Sequence, residues 1–420
     1  MSEVTRFDVI VVGGGPAGMA AAIAASRGTS SVALVDEGAT AGGQIWRRDT
    51  NHGHEPAARE WVEALRDSAV SVIPNASVID ARTHHGRHRL VIDQNGRALV
   101  VDTATLILAT GARELFLPFP GWTLPGVLGI GGTQAMMKAG MRVRGKRIVV
   151  AGSGPLLMAV GAAAATAGAD VVAVVEQAPF RRMAAFGARM LLRPHVALDA
   201  MKYAQKLTGG VLHFGQWVSE ALGADRVEEV VIDDGQNRRR VDCDILCTGY
   251  GLVPNTELGR LLGCATDARG IVVDDRMRSS VHGVFAAGEC AGIGGVDVAL
   301  TEGMIAGQAA VGVLPVQLSA WRRHHARAWS EVLEGAFALR PEVRRLATSR
   351  TIVCRCEDVR FGEIDPSWTA RQAKLYTRIG MGPCQGRVCG AAMQCIRGWE
   401  ADTVRAPIQP VSISTLSGAV

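Results

Sequence analysis

The sequence predicts an α/β protein built from two strand–glycine turn–helix units, followed by a small helical domain. Two strand-like runs, Asp8–Val12 and Arg147–Ala151, each lead directly into a glycine-containing turn and then an alanine-rich segment. Four of the nine cysteines lie close together, between residues 354 and 389. A chain of 420 residues is also too long for one hydrophobic core. We therefore expect two larger folds and a cysteine-containing domain.

Composition favours a soluble enzyme over a nucleic-acid-binding or membrane-spanning protein. Hydrophobic residues make up 48% of the chain, 50 residues are glycine, and the formal net charge is only +5. Such a charge, with 5% aromatic residues, does not favour nucleic acid as a partner. The uncharged run 148–169 has the length of a membrane span but is better explained as a strand, turn and helix. Cysteines without a secretory-type N-terminal stretch indicate a reducing compartment, so we expect a cytoplasmic protein.

The first unit has the pattern of a dinucleotide-binding fold. The strand Asp8–Val12 is followed by Gly13, Gly15 and Gly18 with GxGxxG spacing. The first glycine permits the tight turn, the second permits close approach of a pyrophosphate, and the third permits helix–strand packing. The helix that follows presents free N–H groups to phosphate. The next predicted strand, Val32–Val35, leads to Asp36, an acid placed to accept hydrogen bonds from the adenosine ribose.

Three further segments resemble those of flavoproteins with two dinucleotide-binding domains. Ala41–Ile45 resembles their flavin-contacting loop, Leu106–Gly111 the strand and turn that leave the FAD domain, and Gly283–Glu289 their late FAD motif, with Glu289 in place of the usual Asp. Val298–Gly307 resembles the helix that points at the flavin. The resemblance implies that the residues contacting FAD are Gly13, Gly15, Pro16, Ala17, Gly18, Asp36, Glu37, Gly43, Gln44, Ala109, Thr110, Gly111, Gly288 and Glu289.

The middle of the chain repeats the pattern with one departure. Gly152 and Gly154 begin a second turn, and the next predicted strand ends at Glu176, which favours an unphosphorylated ribose. Leu157 stands where the third small residue belongs, and its bulk pushes helix from strand. Two alternatives stay open for Gly152, Gly154 and Glu176: a retained adenine-nucleotide site, for ATP or NAD, or a structural relic. Rapid turnover with NAD(P)H is expected from neither.

The sequence has no redox cysteine pair at the positions used by disulfide reductases of this architecture. Neither Ala41–Arg48 nor Gly131–Ala159 contains a cysteine. Cys243 and Cys247 are four positions apart around a predicted strand. We interpret them as small buried side chains and not as a redox pair.

The C-terminal cysteines have metal-site spacing. Cys354-Arg-Cys356 and Cys384-x4-Cys389 form a CxC plus CxxxxC set, which departs from the CxxC knuckles of common zinc sites. The set resembles the bacterioferritin-associated-ferredoxin-like [2Fe-2S] domain, which implies these four as ligands. Cys395 stands singly and is expected to be a small buried side chain and not a ligand. Pro383 can begin a helix there, which would direct N–H groups at the cluster. Structural zinc remains the alternative.

Taken in order, the motifs resemble the α (A) subunit of heteromeric amine and amino-acid dehydrogenases. This group contains opine oxidases, hydrogen cyanide synthase and multi-subunit proline and D-hydroxyproline dehydrogenases. The motifs that carry the resemblance are Trp122–Gly126, Gly152–Leu157, Glu176–Pro179, Cys354–Asp358 and Gly380–Cys389. The resemblance implies a partner, a substrate-oxidising flavoprotein β subunit, and allows a further component in a small γ subunit. It also implies electron relay by this chain and allows peripheral contact with a respiratory chain at the inner membrane.

The expected architecture follows from these motifs. Residues 1–120 and 245–315 form the FAD domain, 121–244 the second nucleotide fold, 316–349 a helical connector and 350–420 the cluster domain. No residue in the sequence resembles a substrate-oxidising site, so no catalytic residue is assigned. Two other functions compete with electron relay: a stand-alone NAD(P)H-dependent ferredoxin or nitrite-type reductase, and an assembly protein with a vestigial FAD fold.

Overall fold

A computed structural model describes residues 4–50, 53–207, 209–313, 317–400 and 403–418. The chain divides into two compact units. The first contains residues 1–113, 253–330 and 403–420, and the second contains residues 114–252 and 331–402. Each unit has its own sheet and its own hydrophobic clusters.

The strands within the described residues are, in chain order, β1 (Thr5–Val12), β2 (Val32–Val35), β3 (Val70–Ile73), β4 (Ala76–His84), β5 (Arg87–Gln94), β6 (Arg97–Leu108), β7 (Ala112–Glu114), β8 (Val127–Gly129), β9 (Arg147–Gly152), β10 (Asp170–Glu176), β11 (Leu212–Phe214), β12 (Trp217–Leu222), β13 (Glu229–Asp233), β14 (Arg238–Asp242), β15 (Ile245–Gly249), β16 (Leu252–Pro254), β17 (Thr266–Asp267), β18 (Gly270–Ile271), β19 (Val284–Ala286), β20 (Ile352–Cys354) and β21 (Val359–Arg360).

The α-helices are α1 (Pro16–Ala25), α2 (Pro56–Arg66), α3 (Ile130–Lys138), α4 (Leu156–Thr166), α5 (Phe180–Met190), α6 (Pro194–Lys206), α7 (Glu257–Leu261), α8 (Val296–Ala310), α9 (Gln317–Ala336), α10 (Ala370–Thr377), α11 (Cys389–Arg397) and α12 (Ile413–Gly418). Short 3-10 turns lie at Gly288–Ala291, Val343–Arg345 and Phe361–Glu363. No helix in the described ranges is long and apolar enough to cross a membrane.

The first unit is a Rossmann-like sheet extended by an antiparallel meander. Its strand order is β3-β2-β1-β6-β5-β4, and β19 also pairs with β6. The strands β3, β2, β1, β6 and β19 run parallel, whereas β5 pairs antiparallel with β6 and β4 pairs antiparallel with β5. Parallel strands are covered on both faces, which explains why β2 is buried at every position. The helices α1 and α8 pack against one another through small residues, since Gly303 lies against the carbonyl of Ala17.

The second unit has a smaller parallel sheet of the same kind. Its order is β11-β10-β9-β15-β8, and a separate antiparallel sheet contains β12, β13 and β14. The uncharged run 148–169 forms the end of β9, a turn and α4, as the sequence predicts. Near the C-terminal end, β20, β21, α10 and α11 enclose a small cluster of buried residues around Val353, Val359 and Met393.

Two expectations about the C-terminal region differ from the structure. The described end of the chain, 403–418, belongs to the first unit, where Thr415 donates to Asp93 at 3.0 Å and the Ile408 N–H donates to the Ile79 carbonyl at 2.9 Å. The helix expected at Pro383 is wrong: residues 383–388 form turns, and α11 begins at Cys389. Left-handed backbone at Gln385 (φ 51°) and Gly386 (φ 78°) prevents an earlier helix start.

Candidate functional site

Gly13 and Gly18 are required by the fold of the first turn. Gly13 has φ of 107°, and a Cβ there would collide with the carbonyl oxygen of Ala109. A Cβ at Gly18 would collide with the carbonyl oxygen of Gly13. Glycine at both positions therefore lets the start of α1 lie close to β1 and to the residue that follows β6.

Gly15 differs, because neither its backbone nor its packing requires glycine. Its φ of −73° is available to any residue, and among the described residues an added Cβ would meet only the Gly43 Cα, at 3.9 Å. Gly43 has φ of 60°, and its own Cβ would lie 2.8 Å from the Gly15 Cα. The two glycines border an open notch at the N-terminus of α1, whose first residues are Pro16 and Ala17. Such a notch admits a pyrophosphate, which a side chain at Gly15 would exclude.

Asp36 lies at the end of β2 beside the same turn. It is buried, and its carboxylate accepts hydrogen bonds from the N–H of Gly14 and, at 2.8 Å, from that of Gly38. These bonds fix the carboxylate at the carboxyl ends of the strands and leave lone pairs for ribose hydroxyls. The neighbouring candidates Glu37 and Gln44 are both exposed.

Asn255 fixes the turn that follows β6. Its side-chain amide donates to the Thr110 carbonyl at 2.9 Å, and the Thr110 hydroxyl donates to the Asn255 carbonyl at 2.7 Å. Its backbone N–H donates to the Gly111 carbonyl at 3.0 Å. Sequence reasoning identified Thr110 and Gly111 but missed Asn255, because the two sides are 145 positions apart and carry no shared pattern.

The late FAD motif, Gly283–Glu289, lies against the N-terminal end of α1. Gly288 has φ of 75°, and a Cβ there would lie 2.7 Å from the Ala17 Cβ. Its N–H donates to Glu302 Oε2 at 3.1 Å. Burial raises the pKa of Glu289, opposed by a hydrogen bond from the Gly295 N–H to its carboxylate. The two groups expected from the resemblance to meet the cofactor, the Gly288 N–H and the Glu289 carboxylate, thus both have partners inside the protein.

Glu302 is the centre of a buried ion network that sequence reasoning missed. Its side chain is fully buried in α8 and contacts two guanidinium groups from α9. Arg327 donates to it through Nε and Nη2, at 2.8–2.9 Å, and Arg323 Nε donates to it at 3.0 Å. Arg327 also donates to the Gly292 carbonyl at 2.8 Å. A lone acid inside the apolar run 298–307 was the available signal, because a buried charge needs a partner.

The turn of the second fold has a different geometry. The helix α4 begins four residues after Gly152, whereas α1 begins three residues after Gly13, and Gly154 has φ of 115°. The Gly154 N–H, in the position that corresponds to Gly15, donates to Glu176 Oε2 at 2.8 Å. The later helix start accommodates Leu157, which is 2% exposed and packs in the core. Burial raises the pKa of Glu176, against the hydrogen bonds from Ala178 and Gly154.

A segment of the same unit lies on this turn. The Ser153 hydroxyl donates to the Phe337 carbonyl at 2.8 Å, and the Gln177 side chain donates to the Ala338 carbonyl at 3.3 Å. The Arg340 N–H returns a bond to Gln177 Oε1 at 2.9 Å. Residues 337–340 therefore lie at the carboxyl ends of β9 and β10, where an open α/β sheet binds its ligand.

The four clustered cysteines come together as two pairs. Cys354 ends β20 and is hydrogen-bonded through its sulfur to Cys389, the first residue of α11. Cys356 and Cys384 form the second hydrogen-bonded pair, and Cys384 also interacts electrostatically with Cys389. Within the described ranges, no three His, Cys, Asp or Glu side chains form a group that could hold a metal ion. The four thiols therefore lie as two neighbouring pairs, and thiols of one pair also interact electrostatically with thiols of the other.

The surroundings of Cys354 favour a thiolate. Its pKa is lowered to about 6, chiefly because the Cys389 side chain donates to its sulfur, with further backbone donors at Gly380 and Glu357. The pKa of Cys389 is raised for the same reason. Cys395 lies on α11 but packs in a different cluster, with Tyr250 and Val343, so its side chain is directed away from the pairs.

Cys243, Cys247 and Cys290 are buried, and burial disfavours the reactive thiolate form of each. Cys243 and Cys247 are each 0% exposed, and burial raises the pKa of both thiols to about 12. Burial also raises the pKa of Cys290 to about 11. The interpretation of Cys243 and Cys247 as packing residues is confirmed.

Residues 7–303 match the family described as pyridine nucleotide-disulphide oxidoreductase. The chain belongs to this family. Members of the family are oxidoreductases of the two-dinucleotide-fold type, so the predicted fold class is confirmed and the first unit is supported as an FAD fold. This chain nevertheless has no cysteine in 41–48 or 131–159, the segments where the redox pair of a disulfide reductase would be expected.

Relatives match this family member over nearly its whole length. Hydrogen cyanide synthase subunit HcnB of Pseudomonas aeruginosa is 33% identical, covering 96% of this chain and 97% of its own. An opine oxidase subunit of Agrobacterium tumefaciens is 30% identical, covering 98% and 91%. The predicted relationship to these subunits is confirmed, and the chain is an oxidoreductase subunit by relationship.

Solved structures agree on the fold. L-proline dehydrogenase from P. horikoshii has a TM-score of 0.70 at 20% identity, covering 99% of this chain and 81% of that one. Thioredoxin reductase from T. acidophilum has a TM-score of 0.59 at 21% identity, covering 73% and 98%. The thioredoxin reductase match leaves about a quarter of this chain uncovered.

Proposed function

We propose that this chain is the electron-transfer α subunit of a heteromeric amine or amino-acid dehydrogenase of the opine, proline or hydroxyproline class. It carries FAD in the first unit and a [2Fe-2S] cluster in the second. It passes electrons from the flavin of a substrate-oxidising β subunit to an acceptor. The observation that carries the proposal is the presence of an open FAD notch and two thiol pairs on one chain whose relatives are named as enzyme subunits.

The residues of the first unit fit FAD. The open notch between Gly15 and Gly43 suits a pyrophosphate, with the N-terminus of α1 directed at it. Asp36 is held in place by two backbone N–H groups to receive ribose hydroxyls. Asn255 holds the turn at Thr110 in position for the flavin end. When bound, FAD accepts two electrons together and releases them singly.

The two thiol pairs fit a [2Fe-2S] cluster better than zinc. Each iron of such a cluster takes two thiolates, whereas structural zinc takes four around one ion. Cys354 pairs with Cys389 and Cys356 with Cys384, which matches two ligands for each iron. Backbone N–H groups directed at the Cys354 sulfur suit a ligand that stays deprotonated. Such a cluster passes one electron at a time.

The proposed relay takes its electrons from a partner and not from NAD(P)H. The glycine that should approach the nucleotide pyrophosphate, Gly154, is bonded to Glu176, and Phe337–Arg340 lies across the turn. These contacts argue against the stand-alone reductase and against NAD or ATP bound at Gly152 and Glu176. The substrate site is assigned to the β subunit.

Purification of the chain alone and with its co-expressed partners tests the proposal. The isolated chain, loaded with FAD and cluster, is expected to reduce no dye with proline, hydroxyproline, opines, sarcosine or glycine. The complex is expected to do so with one of them. Sustained dye reduction by the pure chain with any of these compounds would refute the relay.

A further inference from the structure

The helices α5 and α6 form a surface with an unusual distribution of apolar side chains. In α6 the large residues Leu198 and Met201 are 54% and 57% exposed, while the partly buried positions hold Val196 and the small residues Ala197, Ala200 and Ala204. A surface helix normally buries its large apolar residues and exposes its polar ones. In α6 the large side chains Leu198 and Met201 are exposed together with the polar ones.

The turn between the two helices adds the most exposed part of this surface. Leu191 and Leu192 are adjacent in the chain and are 74% and 83% exposed. Phe180, at the start of α5, is 67% exposed. Single exposed apolar residues are ordinary, but a group of five on one helical hairpin marks an interaction surface.

The charge of the hairpin is almost entirely positive. Residues 180–206 contain six arginines or lysines and one acid, Asp199, which pairs with Lys202 at 2.8 Å. Their net charge of +5 equals the formal net charge of the whole chain, so the rest of the sequence is balanced. Arg181, Arg189 and Lys206 are all exposed on this hairpin, with Arg181 directly after Phe180 and Arg189 two residues before Leu191.

We propose that the α5–α6 hairpin docks on an anionic phospholipid surface, with the Leu191–Leu192 turn inserted among the acyl chains. Exposed apolar side chains flanked by basic ones are the features of helices that lie in a membrane interface. The anionic headgroups complement Arg181, Arg189 and Lys206, whereas a protein partner would need a matching acidic and apolar face. Docking would bring the chain to the membrane without a spanning helix.

Vesicle co-sedimentation of the purified full chain tests this proposal without any substrate. The chain is expected to sediment with vesicles containing phosphatidylglycerol, to bind phosphatidylcholine vesicles weakly, and to be released by salt. Arg181→Gln with Arg189→Gln should weaken binding about 25-fold, at about fivefold for each basic side chain. Leu191→Glu with Leu192→Glu should weaken it about tenfold or more.

Leu375→Glu is the matched control, because Leu375 is 65% exposed on α10 and lies outside the hairpin. It should bind vesicles as the unchanged chain does. All variants should keep their melting temperature, since exposed substitutions change stability by about 0.5 kcal/mol or less. Absence of wild-type binding to anionic vesicles at low salt overturns the proposal. Vesicle binding unaffected by the Leu191 and Leu192 changes, with loss of a co-purifying subunit instead, also overturns it and identifies a subunit interface.

Discussion

Ligand binding explains the glycine at position 15, whereas the fold itself explains the glycines at positions 13 and 18. Gly13 and Gly18 are enclosed by backbone atoms, so their substitution would damage the fold whether or not a cofactor binds. Gly15 has ordinary backbone angles, and a Cβ added there would have only the Gly43 Cα within 4 Å among the described residues outside its own turn and helix. A sequence motif gives all three glycines equal weight, and only the structure distinguishes them.

Gly15→Val is therefore expected to remove FAD and leave the fold intact. A Cβ at this position meets no close atom, and the two methyl groups of valine would occupy the notch, so FAD affinity should fall by at least about tenfold, or about 1.4 kcal/mol. Absorbance of the purified flavin and the melting temperature of the apoprotein measure the two effects. Gly335→Val is the control, since Gly335 in α9 also has open space around it, and it should keep FAD. Full FAD occupancy in Gly15→Val would contradict the site.

Glu302→Ala is expected to destabilise the first unit strongly. It leaves Arg327 and Arg323 without their buried carboxylate and the Gly288 N–H without its acceptor. Removing one partner of a buried ion pair costs about 3–5 kcal/mol. Urea unfolding, followed by flavin release, measures the loss. Asp297→Ala on the same helix is the control, because Asp297 is exposed and should cost about 1 kcal/mol or less. Equal effects of the two changes would show that the network is not stabilising.

At the scale of elements, local patterns predicted the strands and glycine turns well. The predicted strand Val32–Val35 is β2 without change, and Val298–Gly307 lies within α8. Apolar runs that end at glycine turns depend on neighbouring residues only, so the sequence contains the necessary information. The pairing of Cys354 with Cys389 required the fold, since the 34 residues of chain between them give no register.

Other elements could not be predicted, for physical reasons. The helix expected at Pro383 is missing, because Gln385 and Gly386 adopt left-handed angles that proline does not forecast. Residues 337–340 contact Ser153 and Gln177 mainly through backbone groups. Because almost every residue has the same backbone groups, such contacts cannot be predicted from residue types. Asn255 and Arg327 reach their partners over long stretches of chain. Tertiary contacts of this kind override local preference.

Residues 337–340 lie on the turn where a nicotinamide nucleotide would bind in the second fold. We therefore expect NADH and NADPH to leave the flavin oxidised. Anaerobic mixing with either nucleotide should produce no rapid bleaching, while dithionite should bleach the same sample completely. Fast bleaching by NADH or NADPH would show that residues 337–340 do not block nucleotide binding at this turn.

Gln177→Ala tests whether the hydrogen bonds of Gln177 hold residues 337–340 on this turn. The substitution should lower the free energy of unfolding of the second unit by about 1–3 kcal/mol and accelerate hydrogen exchange of the Arg340 amide. Unchanged exchange at Arg340 would show that the segment is held by other contacts, such as that of the Arg340 guanidinium, 4.8 Å from the Trp217 ring centre.

At the scale of the whole molecule, the two proposed cofactor sites belong to different units. The glycine notch and Asp36 rest on the clusters built from β1, α1 and α8. The thiol pairs rest on a small cluster around Val353, Ile364 and Met393 in the second unit. Because each site has its own core, loss of one cofactor should leave the binding of the other intact.

Reciprocal substitutions test this independence. Replacing Cys354, Cys356, Cys384 or Cys389 with Ser should remove the cluster, measured as about two irons and two acid-labile sulfides per chain, and should keep FAD. Gly15→Val should do the opposite. Cys395→Ser is the control for the cysteines, because Cys395 packs with Tyr250 and Val343 away from the pairs, and it should retain iron. Metal release should also lower the stability of the second unit alone, since a cluster that joins two thiol pairs contributes to the folding of the short segment around it. One zinc and no iron in the unchanged protein would make the thiol pairs a structural clip, and the electron path would then have to bypass them.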